Sequence, residues 1–493
     1  ILSAAMCLSV ALSGCTADEP SQSASTPAPG GETSAPAEEG GKSLTIAVLN
    51  DVISLDPAAK DSSSEMQMAS HLYDPLVDYD ADLTKKPGLA ESWTILEDGV
   101  TWEFKLRQGV KFSNGNDFNA DDVVFSFERI LNDPTLEMGV YLMRLQEVKK
   151  VDDYTVQLVT KIPYPVFAGS LVHIMMLDKE TCEALTSEEI AANPVGTGRY
   201  RLEEHVKESY IKLVRNDDYW GELPEAETVE FRVIANAATR TTALINGEVD
   251  FISNIPVMDV DRLKSDANIQ VVTNPSLSCS YMGFDLLNEH GSAGTDDPNP
   301  LLNVKVRQAI YHAIDIQTII DTVMNGYATV ANSYMPSICV GYNPDAERPA
   351  YDPELAKQLL AEAGYPDGFY LRIDARSDSD MNADQVSQAI ASYLEKVGIT
   401  TEVNLLPRAS FYEKVDAENL QSSFFMAGWG DGSGEGMVIF NDMLYTYNGK
   451  PGMGEGNKGH YSNPEVDALL DEASVEADQD KRAALVEQVD QIA

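Results

Sequence analysis

Apolar and polar positions fall into strand and helix patterns from about residue 43 of this 493-residue chain onward. Ser43-Leu-Thr-Ile-Ala-Val-Leu49 is an apolar run that predicts a buried first strand. Trp102-Glu-Phe-Lys-Leu106 alternates apolar with polar, as a strand with one buried face does, and Asn114-Gly115 predicts the turn closing a hairpin. Asn119 stands where an N-cap belongs, ahead of a helix whose apolar face would be Val123, Val124, Phe127, Ile130 and Leu131. Thr155-Val-Gln-Leu-Val159, Thr228-Val-Glu-Phe-Arg-Val-Ile234 and Phe424-Phe-Met-Ala427 read as further strands. Beyond about residue 300 helical spacing dominates. Val306, Ala309, Ile310, Ala313 and Ile314 predict one helix over 303–324, with Gly326 just past its end. Asp352-Pro353 starts a helix that Gly364 ends, Asn463-Pro464 repeats the start signal, and 480–493 is amphipathic. There is no internal repeat.

The start of the chain has a different pattern. An apolar, small-residue run over 1–12 leads into Leu12-Ser13-Gly14-Cys15, and a polar tract follows directly. That order reads as the tail of a secretory signal peptide. It resembles the lipobox of bacterial lipoproteins, which implies lipid on Cys15. With no initiator Met and no basic segment ahead of it, 1–15 is expected to be part of a longer signal. Residues 16–42 carry Ser, Thr, Pro, Ala, Gly and Glu without aromatic or β-branched aliphatic side chains. Such a tract buries too little surface to offset its ordering entropy, so it is expected to be a flexible stalk.

Charge narrows the partners. The chain has 79 Asp and Glu against 35 Lys and Arg, a formal net charge of −44. A phosphate backbone requires a basic footprint, so nucleic acid is excluded as a partner. After the signal no segment approaches the roughly 20 apolar residues of a membrane-spanning helix. Any membrane attachment is therefore expected through the lipid anchor only. The length favours two or three lobes over one core.

Candidate chemistry is sparse. Cys182, Cys279 and Cys339 lie far apart with no CxxC pairing and are expected to be buried thiols. The histidines, His71, His173, His205, His290, His312 and His460, show no metal-binding spacing. Asp374, Asp378 and Asp380 lack the glycine and closing glutamate of a calcium loop. No nucleophile, phosphate-loop or dinucleotide motif is present, so neither an enzyme, nor a metal, nor a cofactor is expected. The stretch Gly428-Trp429-Gly430-Asp431-Gly-Ser-Gly-Glu435-Gly436 stands apart. It gathers backbone amides, one aromatic face and two carboxylates just beyond a strand, a pattern suited to ligand contact.

Taken together, several segments resemble one family. These are Gly88-Leu-Ala-Glu-Ser-Trp93, the run from Trp102 to Gly115, Phe118-Asn-Ala-Asp-Asp-Val-Val124 and Pro194-Val-Gly-Thr-Gly-Arg-Tyr200. Arg215-Asn-Asp-Asp-Tyr-Trp-Gly221, Gly247-Glu-Val-Asp250, Val304-Lys-Val-Arg-Gln-Ala-Ile310 and the segment from Ala356 to Phe369 follow in the same order. The chain resembles family 5 extracellular solute-binding proteins of ABC importers over 43–493. The resemblance implies an α/β fold, a two-lobed periplasmic-binding-protein-like clamp with mixed sheets flanked by helices. Lobe I would span 43–272, with a subdomain about 74–193, and lobe II 273–493, without the family's C-terminal return to lobe I. It also implies a monomer on the cell surface or periplasmic side of the membrane that passes a peptide ligand to ABC permease and ATPase subunits.

By the same resemblance, Asp431 would hold the peptide's ammonium and Arg376 its carboxylate, with Trp429 and Gly430 beside them. The alternative for Arg376 is a surface salt bridge with Asp378 or Asp380. The Ser-Gly-Glu run and Tyr461-Ser-Asn-Pro-Glu-Val-Asp467 are similar to glutathione-binding members, and this raises Glu435 as a substitute for Asp431. Asn50 to Leu55 and Tyr73 would line the cleft from lobe I, though for Tyr73 a core position is the favoured reading. The near alternatives are a nickel, haem or oligosaccharide binder of the same family. A cell-wall peptide hydrolase and a peptide-sensing lipoprotein are the readings from other classes.

Overall fold

The apolar run after residue 42 is needed because β1 (Ser43–Val48) has a parallel partner on each side. The computed structural model describes residues 41–81, 83–291, 298–377, 382–430, 432–449 and 452–493. Lys42–Ala493 packs as one compact unit. After β1 come β2 (Val77–Tyr79), β3 (Lys85–Pro87), β4 (Ala90–Ile95), β5 (Thr101–Leu106), β6 (Leu145–Asp152) and β7 (Thr155–Thr160). Next are β8 (Tyr200–Val206), β9 (Tyr210–Arg215), β10 (Thr228–Val233) and β11 (Phe251–Ile252). The last four are β12 (Ser278–Phe284), β13 (Tyr370–Arg376), β14 (Thr400–Leu406) and β15 (Phe424–Gly430).

These strands build three main sheets and a ribbon. The first sheet has the order β11-β1-β10-β9-β8, the second β4-β5-β7-β6, and the third β12-β15-β13-β14, while β2 and β3 pair alone. Helix α1 (Ser63–Leu72) covers the first sheet, with Met68, Ala69 and Leu72 in one core with Ile211, Leu213 and Phe231. Along β5, Trp102, Phe104 and Leu106 are buried while Lys105 faces water, as the alternation requires. Helix α2 (Ala120–Asn132) packs over that second sheet. Its start is fixed by a reciprocal cap. The Asn119 side chain accepts from the Asp121 amide at 2.8 Å, and the Asp122 carboxylate accepts from the Asn119 amide at 2.8 Å. Val123, Phe127 and Ile130 are buried, Val124 is half-buried, and Leu131 is exposed. The buried stripe is therefore narrower than the predicted face.

One predicted element is divided. Residues 303–324 form two helices, Val304–Ala313 and Ile316–Val323, not one. Ile314 takes an extended conformation and buries its side chain in the core of the third sheet. Asp315 then caps the second helix, accepting from the Thr318 amide at 3.1 Å and the Thr318 hydroxyl at 2.7 Å. A short acceptor at that position competes with helix continuation. Asn114-Gly115 does make a tight turn, with Gly115 at positive φ, but it closes a single bridge between Lys111 and Asp117, not a hairpin of strands.

The third sheet is organised around Asp374, which is fully buried in β13. Its carboxylate accepts from Asn404 at 2.6 Å, Lys414 at 2.7 Å and Ser422 at 2.6 Å. A buried charge is tolerable because it is paired and multiply hydrogen-bonded. Cys182 and Cys339 are buried thiols as expected, but Cys279 is only half-buried.

Candidate functional site

In the third sheet β13 runs parallel to β14 and β15, so the carboxyl ends of three strands open on one edge. Such edges are where open α/β sheets receive ligands. Arg376 is the last residue of β13, half-buried, with its guanidinium carbon 5.9 Å from the Tyr412 ring centre. Trp429 and Gly430 end β15, paired with Cys279 and Ser278 of β12. The Trp429 indole is half-buried and donates to the Asp442 carboxylate at 2.5 Å. Burial pushes the Asp442 carboxyl above its ordinary range, opposed by hydrogen bonds from Trp429 and from the Gly456 amide. That bond fixes the ring plane. Gly430 permits close passage of β12, since a Cβ there would lie 3.0 Å from the Ser278 Cβ. The structure thus brings Arg376, Trp429 and Gly430 to one edge.

Beyond β15 the glycine-rich loop crosses to the ribbon β2–β3. Val340 brackets it, its amide donating to the Gly434 carbonyl at 2.9 Å and its carbonyl accepting from the Gly436 amide at 3.1 Å. The Tyr79 hydroxyl donates to the Ser433 carbonyl at 3.1 Å. A Cβ on Gly432 would sit 3.3 Å from the His173 ring, so the loop backbone lies against that imidazole. Glu435 completes the seam. Its side chain is 4% exposed, with one oxygen 3.1 Å from Lys85 Nζ and the other 3.4 Å from Arg482 Nη2. Arg482, itself 6% exposed, also donates to the Glu476 carbonyl at 2.9 Å.

A pocket of about 190 Å³ opens beside this seam, between α1, β2 and the segment 172–175. Tyr79 and His173, which touch the loop, also form part of its wall. Burial holds His173 down at about 4, so the imidazole is neutral at pH 7, and its ring centre lies 4.2 Å from that of Tyr141.

Two sequence expectations are corrected by this geometry. Glu435 does not present an open carboxylate to a ligand ammonium, because both its oxygens face cations of the protein. Tyr73 does not line a cleft. It is fully buried in the core of the first sheet, and its hydroxyl donates to the Leu55 carbonyl at 3.1 Å. Asn50 is exposed just past the carboxyl end of β1, while Leu55 is buried. Asp431, Cys15, Asp378 and Asp380 lie outside the described residues.

Sequence reasoning passed over Tyr79, Lys85 and His173. The only local hints are a Lys85-Lys86 pair in a strongly acidic chain and a histidine inside the apolar run Leu171-Val-His-Ile-Met-Met176.

Comparison with known proteins agrees with the fold. Residues 84–451 match the family described as bacterial extracellular solute-binding proteins, family 5 Middle. The glutathione-binding protein GsiB of Shigella flexneri serotype 5b is 30% identical over 441 residues, covering 88% of this chain and 83% of that protein. Heme-binding protein A of Haemophilus influenzae is 31% identical over 449 residues, covering 85% of this chain and 79% of that protein. The solved structure of the ABC transporter-associated periplasmic binding protein DppA from Helicobacter pylori, in complex with peptide STSA, superposes with a TM-score of 0.73 at 27% identity. That superposition covers 92% of this chain and 90% of that one. The two-lobed clamp is therefore the fold. The chain belongs to the family 5 extracellular solute-binding proteins and is a ligand-capturing subunit of an ABC importer, not an enzyme.

Proposed function

We propose that this protein captures a short peptide between its lobes and delivers it to its membrane permease, while tethered to the outer face of the membrane by lipid on Cys15. The lobes are taken as 43–272, with the subdomain about 74–193, and 273–493. The observation that carries the reading is the convergence of Arg376, Trp429 and Gly430 at the carboxyl edge of the third sheet. A planar guanidinium there can take a peptide carboxylate through two parallel hydrogen bonds. Trp429, braced by Asp442, offers a fixed apolar face to the peptide plane. Asp431, one residue beyond β15, is assigned the ammonium. The glutathione-binding and peptide-bound relatives support a peptide as the ligand class. A ligand touching both lobes favours the closed form by its differential affinity for that form. The protein acts as a monomer in this scheme.

Thermal shift against di- and tripeptides, longer peptides, glutathione, a nickel–histidine chelate and haemin tests the reading. Ligand that binds only the native state raises the melting temperature by mass action. A shift with one peptide class, abolished in Arg376→Ala and Asp431→Ala, is expected. A shift confined to haemin, the ligand class named for one relative, or to the chelate would overturn the peptide assignment.

A further inference from the structure

We infer that the pocket beside the seam is a side-chain subsite that takes one large apolar side chain of the bound peptide, leucine, methionine or phenylalanine. The inference rests on the peptide reading above and deepens it. Three methionines, Met66, Met138 and Met175, contribute to the wall, with Pro57, Ala69 and Val172. Met138 is 1% exposed, and Ala69, Val172 and Met175 are all below 10%, so the interior of the pocket is built from core side chains. Thioether side chains are flexible and polarizable, and they pack against aliphatic or aromatic groups of differing shape. An apolar cavity of about 150 Å³ accommodates benzene, so about 190 Å³ has room for a phenyl or branched aliphatic group.

The polar groups around the pocket are already engaged or uncharged. The Asp78 carboxylate is 3.5 Å from Lys86 Nζ and also accepts from the Tyr79 amide at 2.8 Å. The Tyr79 hydroxyl is given to the Ser433 carbonyl. Burial keeps the His173 ring neutral at pH 7. The wall holds no cation to pair an acidic side chain, and Asp78, 41% exposed and sharing Lys86 with Asp80, is its one carboxylate; desolvating an acidic side chain there is costly. Position supplies the link to the ligand, because Tyr79 and His173 are shared between this wall and the loop that leaves the Arg376–Trp429 edge. Glutathione, with two carboxylates and a small thiol-bearing side chain, fills such a pocket poorly. A peptide with one bulky apolar side chain fills it well.

The test is isothermal titration of the whole chain with trialanine and with peptides in which each position in turn is Leu, Met, Phe, Asp or Lys. At one position the apolar side chains are expected to bind at least tenfold tighter than Ala, and Asp weaker than Ala. Met66 is only half-buried at the rim, so Met66→Asp keeps the fold and should reverse the order, with Lys then preferred over Leu at that position. Ser70→Phe, at an exposed position of the wall, should erase the apolar preference while trialanine still binds. Peptide binding with equal affinity for Leu, Asp and Lys everywhere, or a preference unchanged in Met66→Asp, overturns this inference and leaves the peptide reading standing. No binding of any peptide removes both.

Discussion

Glu435 shows how a single side chain changes meaning once its partners are known. On sequence it is one of two carboxylates beside Trp429, and either suits a ligand ammonium. In the fold it is buried between Lys85 and Arg482, 350 and 47 residues away along the chain, separations at which no local pattern carries information. Breaking a buried pair from one side leaves the other charge uncompensated. Glu435→Gln is expected to cost about 3 kcal/mol in chemical unfolding, because Arg482 is almost wholly buried. Lys85→Met should cost clearly less, since Lys85 is 26% exposed. Equal losses for the two variants would mean that the triad is not arranged as described. His173 adds a pH dependence. Its pKa is depressed from 6.5 to about 4 by burial, so the native state binds fewer protons than the unfolded chain between those values. Stability from this site is then complete above pH 6.5 and lost as pH falls through 4. His173→Gln should flatten the fall in the urea midpoint between pH 6.5 and 4. An unchanged slope would mean that His173 is not a buried neutral ring.

At the scale of elements, the sequence was most readable where local rules act alone. The Asn119 cap, the alternation of β5 and the proline-first helices at Pro353 and Pro464 all formed as predicted. The 303–324 helix did not, because periodicity cannot see that Asp315 is more useful as a cap than as a helical residue. Asp315→Ala should therefore cost about 1 kcal/mol, from losing the acceptor for Thr318. A neutral result would indicate that packing of Ile319 and Ile320 alone holds that helix. Asp122 gives α2 its own titration. Burial raises its pKa from 3.8 to about 6, against the amides of Lys179 and Asn119 that favour the carboxylate. Its contribution is present in full below pH 3.8 and is lost as pH rises through about 6, the opposite sense to His173. Asp122→Asn, measured beside His173→Gln, should steepen the acid-side loss of stability by removing this opposing term.

For the whole molecule, the seam is what sequence left invisible. One strand of the third sheet and the glycine-rich segment after it were recognisable from Phe424 to Gly436, and the fold from ordered family motifs. Which residues of the 74–193 region meet that edge depends on how separately folded parts come together. Tyr79, Lys85 and His173 meet the loop from β2, β3 and the short helical turn at 171–173. This juxtaposition places a mainly apolar pocket beside the loop that leaves the arginine-bearing edge, the arrangement on which the proposed side-chain subsite rests.

Native mass spectrometry of the protein purified from its own cells, followed by release and fragmentation of whatever is bound, tests the central claim most directly. A bound species that fragments into amino-acid residues, and is missing from the Arg376→Ala protein, is the predicted result. A bound tetrapyrrole, sugar or metal chelate retained by Arg376→Ala would contradict the account.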